Sequence, residues 1–306
     1  MIIRPETPAD YPAVARLHMR AFGQRAAEAV LVALLRQRAS YTPDLSLVAE
    51  LDGAIAGHVL FTPCVMPLLG QEVAAVLLAP LAVDPAYQRR GIGGALIEAG
   101  HQAARQRGAA VALLLGHPEY YPRFGYQMRA FGAARCVVDV AALPPVEPVT
   151  ARPLTEADLP ALIELWDREE GAVDFSIRPE AELLDWLSPD PRTATTVYER
   201  DSVVMGYTRI GRDSPAEPRL FLAANDDAAR AVARSIALAA GAPALTLPLH
   251  PASASAQALG SATVHTFDPA MAAELIPGAL EACLAGLRTG ARVPGRPLWF
   301  PAFDLV

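Results

Sequence analysis

A glycine-rich turn is the segment of this sequence best suited to chemistry. Residues 88–94 read Gln-Arg-Arg-Gly-Ile-Gly-Gly and lie between a long apolar strand, predicted roughly over 72–83, and a predicted helix that ends near Arg107. Glycines let a backbone approach a ligand closely, and the first turn of a helix offers unpaired N–H groups and the positive end of its dipole. Arg89 and Arg90 add positive charge. The pattern therefore predicts a binding site for a pyrophosphate group.

The composition excludes several other ways of handling phosphate or carbonyl groups. The chain contains no lysine, so all 26 of its basic residues are arginines. A Walker-type loop, a lysine Schiff base and a pyridoxal-phosphate site each need an amine at a fixed position, and all three are excluded. A dinucleotide-binding turn follows the first strand of a parallel βαβ unit. Here the turn follows the fourth strand of a mainly antiparallel series, which disfavours that fold.

The net charge and the spacing of the cysteines argue against several further classes of protein. Thirty-three acidic residues give a net charge of -7, which argues against general electrostatic binding to nucleic acid. Cys64, Cys136 and Cys283 are far apart, so we expect neither a disulfide framework nor a metal site, and a reducing, cytoplasmic location. The first residues lack the pattern of a signal peptide, and no apolar run is long enough to span a bilayer. A hydrophobic content of 52% is ample for packed cores.

An internal repeat suggests two domains. Residues 4–13 align without a gap on residues 152–161, sharing Arg, Pro, Thr, Ala, Asp, Pro and Ala. In each copy the threonine is a good helix N-cap, with an aspartate three residues later to complete a capping box. Two unrelated helix starts with similar caps are the alternative. Because prolines crowd residues 144–148, we expect domains over 1–145 and 146–306.

The predicted elements recur in a similar order in the two halves. For the first half, helices are predicted roughly over 7–21 and 25–38, from the glycine-rich turn to about 107, and over 118–124, and strands over 2–3, 45–51, 54–61, 72–83, 110–115 and 135–140. For the second half, helices are predicted from 155, over 179–187 and over 228–240, and strands over 195–199, 203–210, 219–223 and 245–249. Asp52-Gly53 predicts a hairpin turn.

On these motifs the first half, roughly residues 1–140, resembles the GNAT superfamily of N-acetyltransferases. Residues 88–93 match the family's Q/R-x-x-G-x-G/A motif, which holds the pyrophosphate of acetyl-coenzyme A. Residues 81–85 resemble the strand end beside the pantetheine and acetyl group. Residues 120–126 resemble the family's F-Y-x-x-x-G-F helix ending.

The resemblance implies an α+β fold with two GNAT-like domains, each a mixed, mostly antiparallel sheet flanked by helices. It implies acetyl transfer from acetyl-coenzyme A, as cosubstrate and without a metal, to a primary amine of a small molecule by direct attack. No nucleic-acid or membrane partner is expected, and a homodimer is compatible with the sequence. The resemblance assigns Tyr121 as the acid that protonates the departing thiolate. The cofactor-binding residues that it implies are Leu81, Ala82, Val83, Gln88, Arg89, Arg90, Gly91, Ile92, Gly93 and Gly94.

Several roles stay open at this point. Tyr120 is an alternative to Tyr121 as the acid. For the base that takes the amine proton, the residues Glu50, His58, His117 and Glu119 are candidates, and ordered water is a further one. A non-catalytic acyl-coenzyme A sensor and an interaction protein are alternative functions. We interpret Trp166, Phe175, Trp186 and Trp299 as core residues rather than as the wall of a substrate pocket.

The second half departs from the family's binding pattern. At the helix start that corresponds to the glycine-rich turn it has Asn225-Asp226-Asp227, and two carboxylates there would repel a pyrophosphate. It resembles the degenerate copy of tandem members such as mycothiol synthase and the Eis-type aminoglycoside acetyltransferases. In the Eis-type enzymes the C-terminal carboxylate serves as base. The apolar stretch Leu298–Val306 is therefore expected to pack into the structure, with Val306 near the cleft.

Overall fold

The computed structural model describes residues 1–306. The elements of the first half are β1 (Ile2–Pro5), α1 (Tyr11–Ala21), α2 (Ala27–Leu35), β2 (Ser46–Leu51), β3 (Ala54–Leu68), β4 (Gln71–Val83), α3 (Ile92–Gln106), β5 (Val111–Leu115) and β6 (Gly132–Asp139). Those of the second half are β7 (Thr150–Pro153), α4 (Leu159–Glu170), β8 (Thr193–Arg200), β9 (Val203–Gly211), β10 (Leu220–Ala223), α5 (Asp226–Ala240), β11 (Ala244–Leu247), α6 (Ala256–Leu259), β12 (Ser261–Thr266), β13 (Ala270–Glu274) and α7 (Glu281–Thr289).

The largest sheet has the strand order β1-β2-β3-β4-β5-β13. All neighbours are antiparallel except β4 and β5, which run parallel. This mixed sheet confirms the predicted α+β fold class. Its two faces carry separate cores: α3 packs on one face, against Phe61 and Val76, and α2 packs on the other, against Leu60 and Leu77. Helices α2 and α3 therefore lie on opposite faces of one sheet.

Strand pairing crosses the predicted boundary between the halves. β6 pairs with β11 and β12 in a three-stranded sheet, and β13 adds to β5 at the edge of the first sheet. Only the four-stranded sheet β10-β9-β8-β7 is built from the second half alone. The domain limits of 1–145 and 146–306 therefore stay a prediction about sequence units, since the sheets themselves share strands.

The two repeated segments have the same local geometry. Thr7 has φ −121° and ψ 162°, Thr155 has φ −126° and ψ 161°, and both form the predicted capping box. In each copy an arginine of the first strand pairs with the capping aspartate. The same arginine also pairs with a glutamate on the neighbouring antiparallel strand. These sets are Arg4, Asp10 and Glu50 in the first copy and Arg152, Asp158 and Glu199 in the second.

Local chemistry accounts for the turn between β2 and β3 and for the prolines of β3. Asp52 and Gly53 both have positive φ, 53° and 75°, and form the predicted hairpin turn between β2 and β3. Beyond Leu60, β3 no longer pairs with β2, so its outer edge tolerates Pro63 and Pro67, which lack an N–H donor. β3 keeps pairing with β4 as far as Leu68, so it runs seven residues past the predicted end at 61.

The helix predicted over 179–187 is wrong. The segment contains only a short 3₁₀ helix, Leu183–Asp185. Asp185 accepts a hydrogen bond from the Glu180 N–H at 2.7 Å, and it pairs with the buried Arg38, which lies just after the end of α2. The Trp186 indole donates to the Glu180 carbonyl oxygen at 2.9 Å. These contacts with the side chains fix an irregular backbone that helix periodicity alone does not reveal.

No helix of the structure combines the length and apolarity needed to cross a bilayer.

Candidate functional site

The glycine-rich turn forms an open cradle at the start of α3. Gly91 is the N-cap, with φ +83°, a conformation that other residues adopt at a cost. The first hydrogen bond of the helix runs from the Ala95 N–H to the Gly91 carbonyl oxygen at 3.0 Å, so the N–H groups of residues 92–94 have no acceptor within the helix. A Cβ built on Gly91 would meet no atom within 4 Å. Open space and free donors coincide at this point.

The other two glycine positions of the turn, Gly93 and Gly94, have no room for a side chain. A Cβ on Gly93 would lie 2.5 Å from the Tyr120 hydroxyl oxygen, and one on Gly94 would lie 2.9 Å from the Phe124 ring. Both positions let the 3₁₀ helix Tyr121–Phe124 and its preceding tyrosine pack directly against α3. Gly93 therefore has a packing role as well, and it also lines the cavity described below.

Cations without acidic partners surround the cradle. Arg89, Arg90 and Arg123 form no salt bridge. The Arg90 guanidinium lies 5.3 Å from the centre of the Tyr87 ring, and that of Arg123 lies 4.8 Å from the centre of the Tyr120 ring. Positive charge that is not neutralised within the protein raises the local potential for an anion.

β4 and β5 separate beside the cradle. Their parallel pairing ends at Leu77 and Leu113, although β4 continues to Val83. Because the Asp84 N–H donates to Ala56 on the β3 side, the peptide groups of Val83 and Leu81 face the opposite, unpaired edge. The Gln88 side chain donates to the Val83 carbonyl oxygen at 3.2 Å. The gap therefore exposes main-chain donors and acceptors between the two strands.

A cavity of about 1240 Å³ runs through this gap and reaches both faces of the sheet. On the face of α3 it is lined by the cradle, and on the face of α2 by Phe22, Glu28, Leu31, Trp299, Phe303 and Val306. Among the residues expected to bind the cofactor, all line the cavity except Ala82 and Arg90. Ala82 is 2% exposed and pairs with His58 of β3, and Arg90 turns toward Tyr87.

Both candidate acids line this cavity. Tyr121 is 9% exposed, and its hydroxyl makes no hydrogen bond within the protein. Its burial raises the pKa of the phenol to about 12. Gly116 leaves the space that the Tyr121 ring occupies, because a side chain there would overlap it. Burial also raises the pKa of Tyr120, whose hydroxyl lies against the start of α3.

Of the four candidate bases, only His117 lines the cavity. Glu50 pairs with Arg4 at 3.1 Å, and Glu119 is exposed outside the cavity. His58 is fully buried, 2.8 Å from His18 and 3.0 Å from the Ser46 hydroxyl. Burial lowers the pKa of His58, which favours its neutral form.

The end of the chain forms a wall of the cavity, as its apolar composition predicts. Trp299, Phe303 and Val306 all face the cavity, so the interpretation of Trp299 as a core residue is wrong, whereas Trp166 and Trp186 are buried. Arg209 of β9 donates to the Trp299 carbonyl oxygen at 3.0 Å. A second arginine of this half, Arg219, pairs with Asp304 at 2.7 Å. The second half thus holds the segment that closes the cavity.

Among the residues of the cavity wall that sequence reasoning missed, Glu28 is the one with a buried carboxylate. It lies on the same face of α2 as Leu31 and Leu35, three and seven residues later, and is 6% exposed. The helical periodicity of residues 27–35 places this acidic residue on the stripe that faces the core. A carboxylate on a core-facing stripe was the signal that could have identified it.

The corresponding helix start of the second half carries its own anions. The Asn225 side chain caps α5 by accepting from the Ala228 N–H at 2.9 Å. Asp226 pairs with Arg168 at 3.1 Å, and Asp227 pairs with Arg230 at 2.8 Å. Two acidic side chains thus occupy the position where the first half has its open glycine turn.

Comparisons with known proteins agree with this geometry. A family model described as an acetyltransferase (GNAT) domain matches residues 2–129. YjhQ of Escherichia coli K12, named an uncharacterized N-acetyltransferase, is 41% identical over 118 residues, which are 39% of this chain and 65% of YjhQ. YhbS of the same strain, also named an uncharacterized N-acetyltransferase, is 38% identical over 137 residues, which are 44% of this chain and 79% of YhbS.

A solved structure extends the likeness to the second half. The GCN5-related N-acetyltransferase from Anabaena variabilis superimposes with a TM-score of 0.70 over 91% of this chain and 74% of its own. At 14% identity that similarity concerns the fold. The family model covers the part of the chain that builds the cradle and the separated strands, and YhbS is matched at 38% identity over 79% of its length, so the chain belongs to the GNAT family of N-acetyltransferases.

Proposed function

We propose that this protein transfers an acetyl group from acetyl-coenzyme A to a primary amine of a small molecule by direct attack. The observation that supports this most is the cavity that connects the cradle on one face of the sheet with α2 and Trp299 on the other. A donor held in the cradle and an acceptor on the opposite face would meet in the gap between β4 and β5. No covalent enzyme intermediate is needed, because the two substrates approach from opposite sides.

The residues of the cradle fit a pyrophosphate group. Gly91 leaves space, the first N–H groups of α3 are free donors, and Arg89 adds a cation. The donor's thioester would then lie along the open edge of β4. There the Val83 N–H would polarise its carbonyl, since a fixed main-chain dipole stabilises the negative charge that develops on the oxygen. Of the residues predicted from the sequence to bind the cofactor, those that line the cavity, which are all but Ala82 and Arg90, keep that role in the proposal.

Tyr121 is the proposed general acid. As the neutral amine attacks the carbonyl carbon, its nitrogen loses a proton to His117, the candidate base that lines the cavity, or to water. The carbon–sulfur bond breaks and the departing sulfur needs a proton. The Tyr121 hydroxyl is free of other hydrogen bonds, and with a pKa of about 12 it is protonated at neutral pH. A phenol is well matched to a thiolate as proton donor. An acyl-coenzyme A sensor without turnover is the alternative, and an unengaged Tyr121 hydroxyl in the cavity favours the enzyme.

We also propose that the second half is a degenerate copy of the same fold. The matching capping boxes and arginine–carboxylate sets of residues 4–13 and 152–161 support a common origin. In place of a cofactor site, α5 begins with Asp226 and Asp227. On this proposal, the second half serves to support Trp299 and Phe303 against the acceptor side of the cavity. That wall leaves room for a small molecule rather than an extended peptide.

The test of the proposal has two arms. Calorimetry with acetyl-coenzyme A measures donor binding, and thiol release with a panel of primary amines measures turnover. Binding with amine-dependent thiol release is expected. Binding without turnover for any amine would support the sensor, and a protein that neither binds the donor nor gains thermal stability from it would overturn both functions.

Removing residues 304–306 should lower turnover about tenfold or more while donor affinity stays nearly constant. The deletion takes away Val306 from the cavity wall and the Asp304 carboxylate that anchors the segment to Arg219. Steady-state thiol release and calorimetry measure the two quantities. Arg219→Met, which breaks the ion pair without shortening the chain, should give a smaller loss in the same direction. Unchanged turnover in the shortened protein would show that this wall plays no part in the reaction.

A further inference from the structure

Glu28 is a buried carboxylate on the acceptor side of the cavity. Its side chain is 7% exposed and lies on α2, one turn before Leu31, on the wall opposite the cradle. Carboxylates are seldom buried unless they are paired, because the loss of hydration is costly. A buried carboxylate such as that of Glu28, among apolar neighbours, is therefore expected to have a hydrogen-bonding or positively charged partner.

The protein supplies only part of that partner. The Oε1 atom of Glu28 accepts from the Arg25 guanidinium at 2.9 Å, and the Arg25 side chain is 67% exposed, so water screens much of this pair. The Oε2 atom is buried and has no hydrogen-bond partner. An unsatisfied carboxylate oxygen costs free energy that a donor arriving from the cavity would recover.

The rest of the acceptor side is apolar. Phe22, Leu31, Trp299 and Phe303 line it, and the other cavity-lining carboxylate side chain, that of Glu98, belongs to α3 on the opposite face. Arg89 and Arg123 lie with the cradle. A negative charge among aromatic and aliphatic side chains suits a ligand that carries a cationic group on an apolar body.

We propose that Glu28 binds the ammonium group of the acceptor, and that the acceptor is an amine with an aromatic or aliphatic body and no carboxylate beside the nitrogen. This inference rests on the proposed function, since it specifies the substrate class of the same site. The bound ammonium loses one proton to His117 or to water before its nitrogen attacks the thioester. A charge-assisted hydrogen bond in a buried site is strong, and a carboxylate on the ligand would meet Glu28 as a like charge.

The test uses Glu28→Gln, which keeps the size of the side chain and removes its charge. With 2-phenylethylamine as acceptor, kcat/KM should fall about tenfold to a hundredfold, mostly through KM, while the affinity for acetyl-coenzyme A is unchanged. The wild-type protein should prefer 2-phenylethylamine to phenylalanine, which has the same body plus a carboxylate. Glu28→Gln should reduce that preference, and Glu28→Asp should restore part of it.

Controls separate this inference from the proposed function. Glu164→Gln changes an exposed glutamate of α4 away from the cavity and should leave all constants at wild-type values. If the wild type does not bind acetyl-coenzyme A, the proposed function fails. If it binds the donor but neither binds nor acetylates 2-phenylethylamine, or if Glu28→Gln retains both its kcat/KM and its preference, the role of Glu28 is overturned while the donor site stands.

Discussion

Replacing Gly91 with glutamate is expected to abolish binding of acetyl-coenzyme A, lowering affinity more than about a hundredfold. The open space beside Gly91 is where the pyrophosphate is expected to lie, and the new side chain would fill it and set a carboxylate against the phosphates. Gly91 also has φ +83°, so any other residue strains the turn and displaces the first N–H donors of α3. Calorimetric titration with the donor measures the loss.

The chain offers a close control for this substitution. Gly70 also has positive φ, 74°, and open space around it, but it lies in the turn between β3 and β4, away from the cavity. Gly70→Glu should therefore carry the same backbone cost and leave donor affinity near normal. If Gly91→Glu bound the donor as well as Gly70→Glu does, the cradle would not be the pyrophosphate site.

Tyr121→Phe should lower the turnover number by about a hundredfold to ten-thousandfold, the range for loss of a general acid. The ring, its packing against Tyr126 and the space left by Gly116 are all retained, so donor affinity should change little. Single-turnover measurements with saturating donor isolate the chemical step. Tyr120→Phe is the comparison, and the variant with the larger loss identifies the acid.

The pH profile gives an independent check on the same phenol. A general acid must be protonated, and burial raises the pKa of Tyr121 to about 12, so its contribution is fully present below that value and is lost as pH rises through it. Turnover should therefore show no descending limb from Tyr121 between about pH 8 and pH 10.5. A descending limb near pH 9 that disappears in Tyr121→Phe would contradict this account of the site.

Local signals in the sequence were enough to predict much of the first sheet and the cradle. The turn at Asp52-Gly53, the cap at Thr7 and the end of α3 near Gly108 each depend on the conformational preferences of one or two residues. Such preferences act through neighbouring backbone atoms, so they can be recognised without the rest of the fold. The cradle belongs to this class, because its geometry is set by Gly91.

Features set by distant parts of the chain were not predictable in the same way. Ala270-Met-Ala-Ala-Glu has the composition of a helix, yet it forms β13 because β5 offers an unpaired edge and a buried position. Arg38 pairs with Glu180 and Asp185, and these ion pairs hold residues 180–185 in an irregular conformation. Arg38 and Glu180 are 142 positions apart in the sequence. The place of Glu28 on the cavity wall likewise depends on Trp299, which only the folded chain brings near α2.

The late position of β13 has a consequence for biosynthesis. When residues 1–115 have left the ribosome, every strand of the first sheet is available except the one that covers β5, which lies more than 150 residues further along the chain. Until then the nascent sheet presents a bare edge of buried aliphatic residues, an open template for pairing with other chains. Translation that stalls within the second half should therefore yield aggregates, and holdase chaperones should be found on ribosomes carrying such partial products.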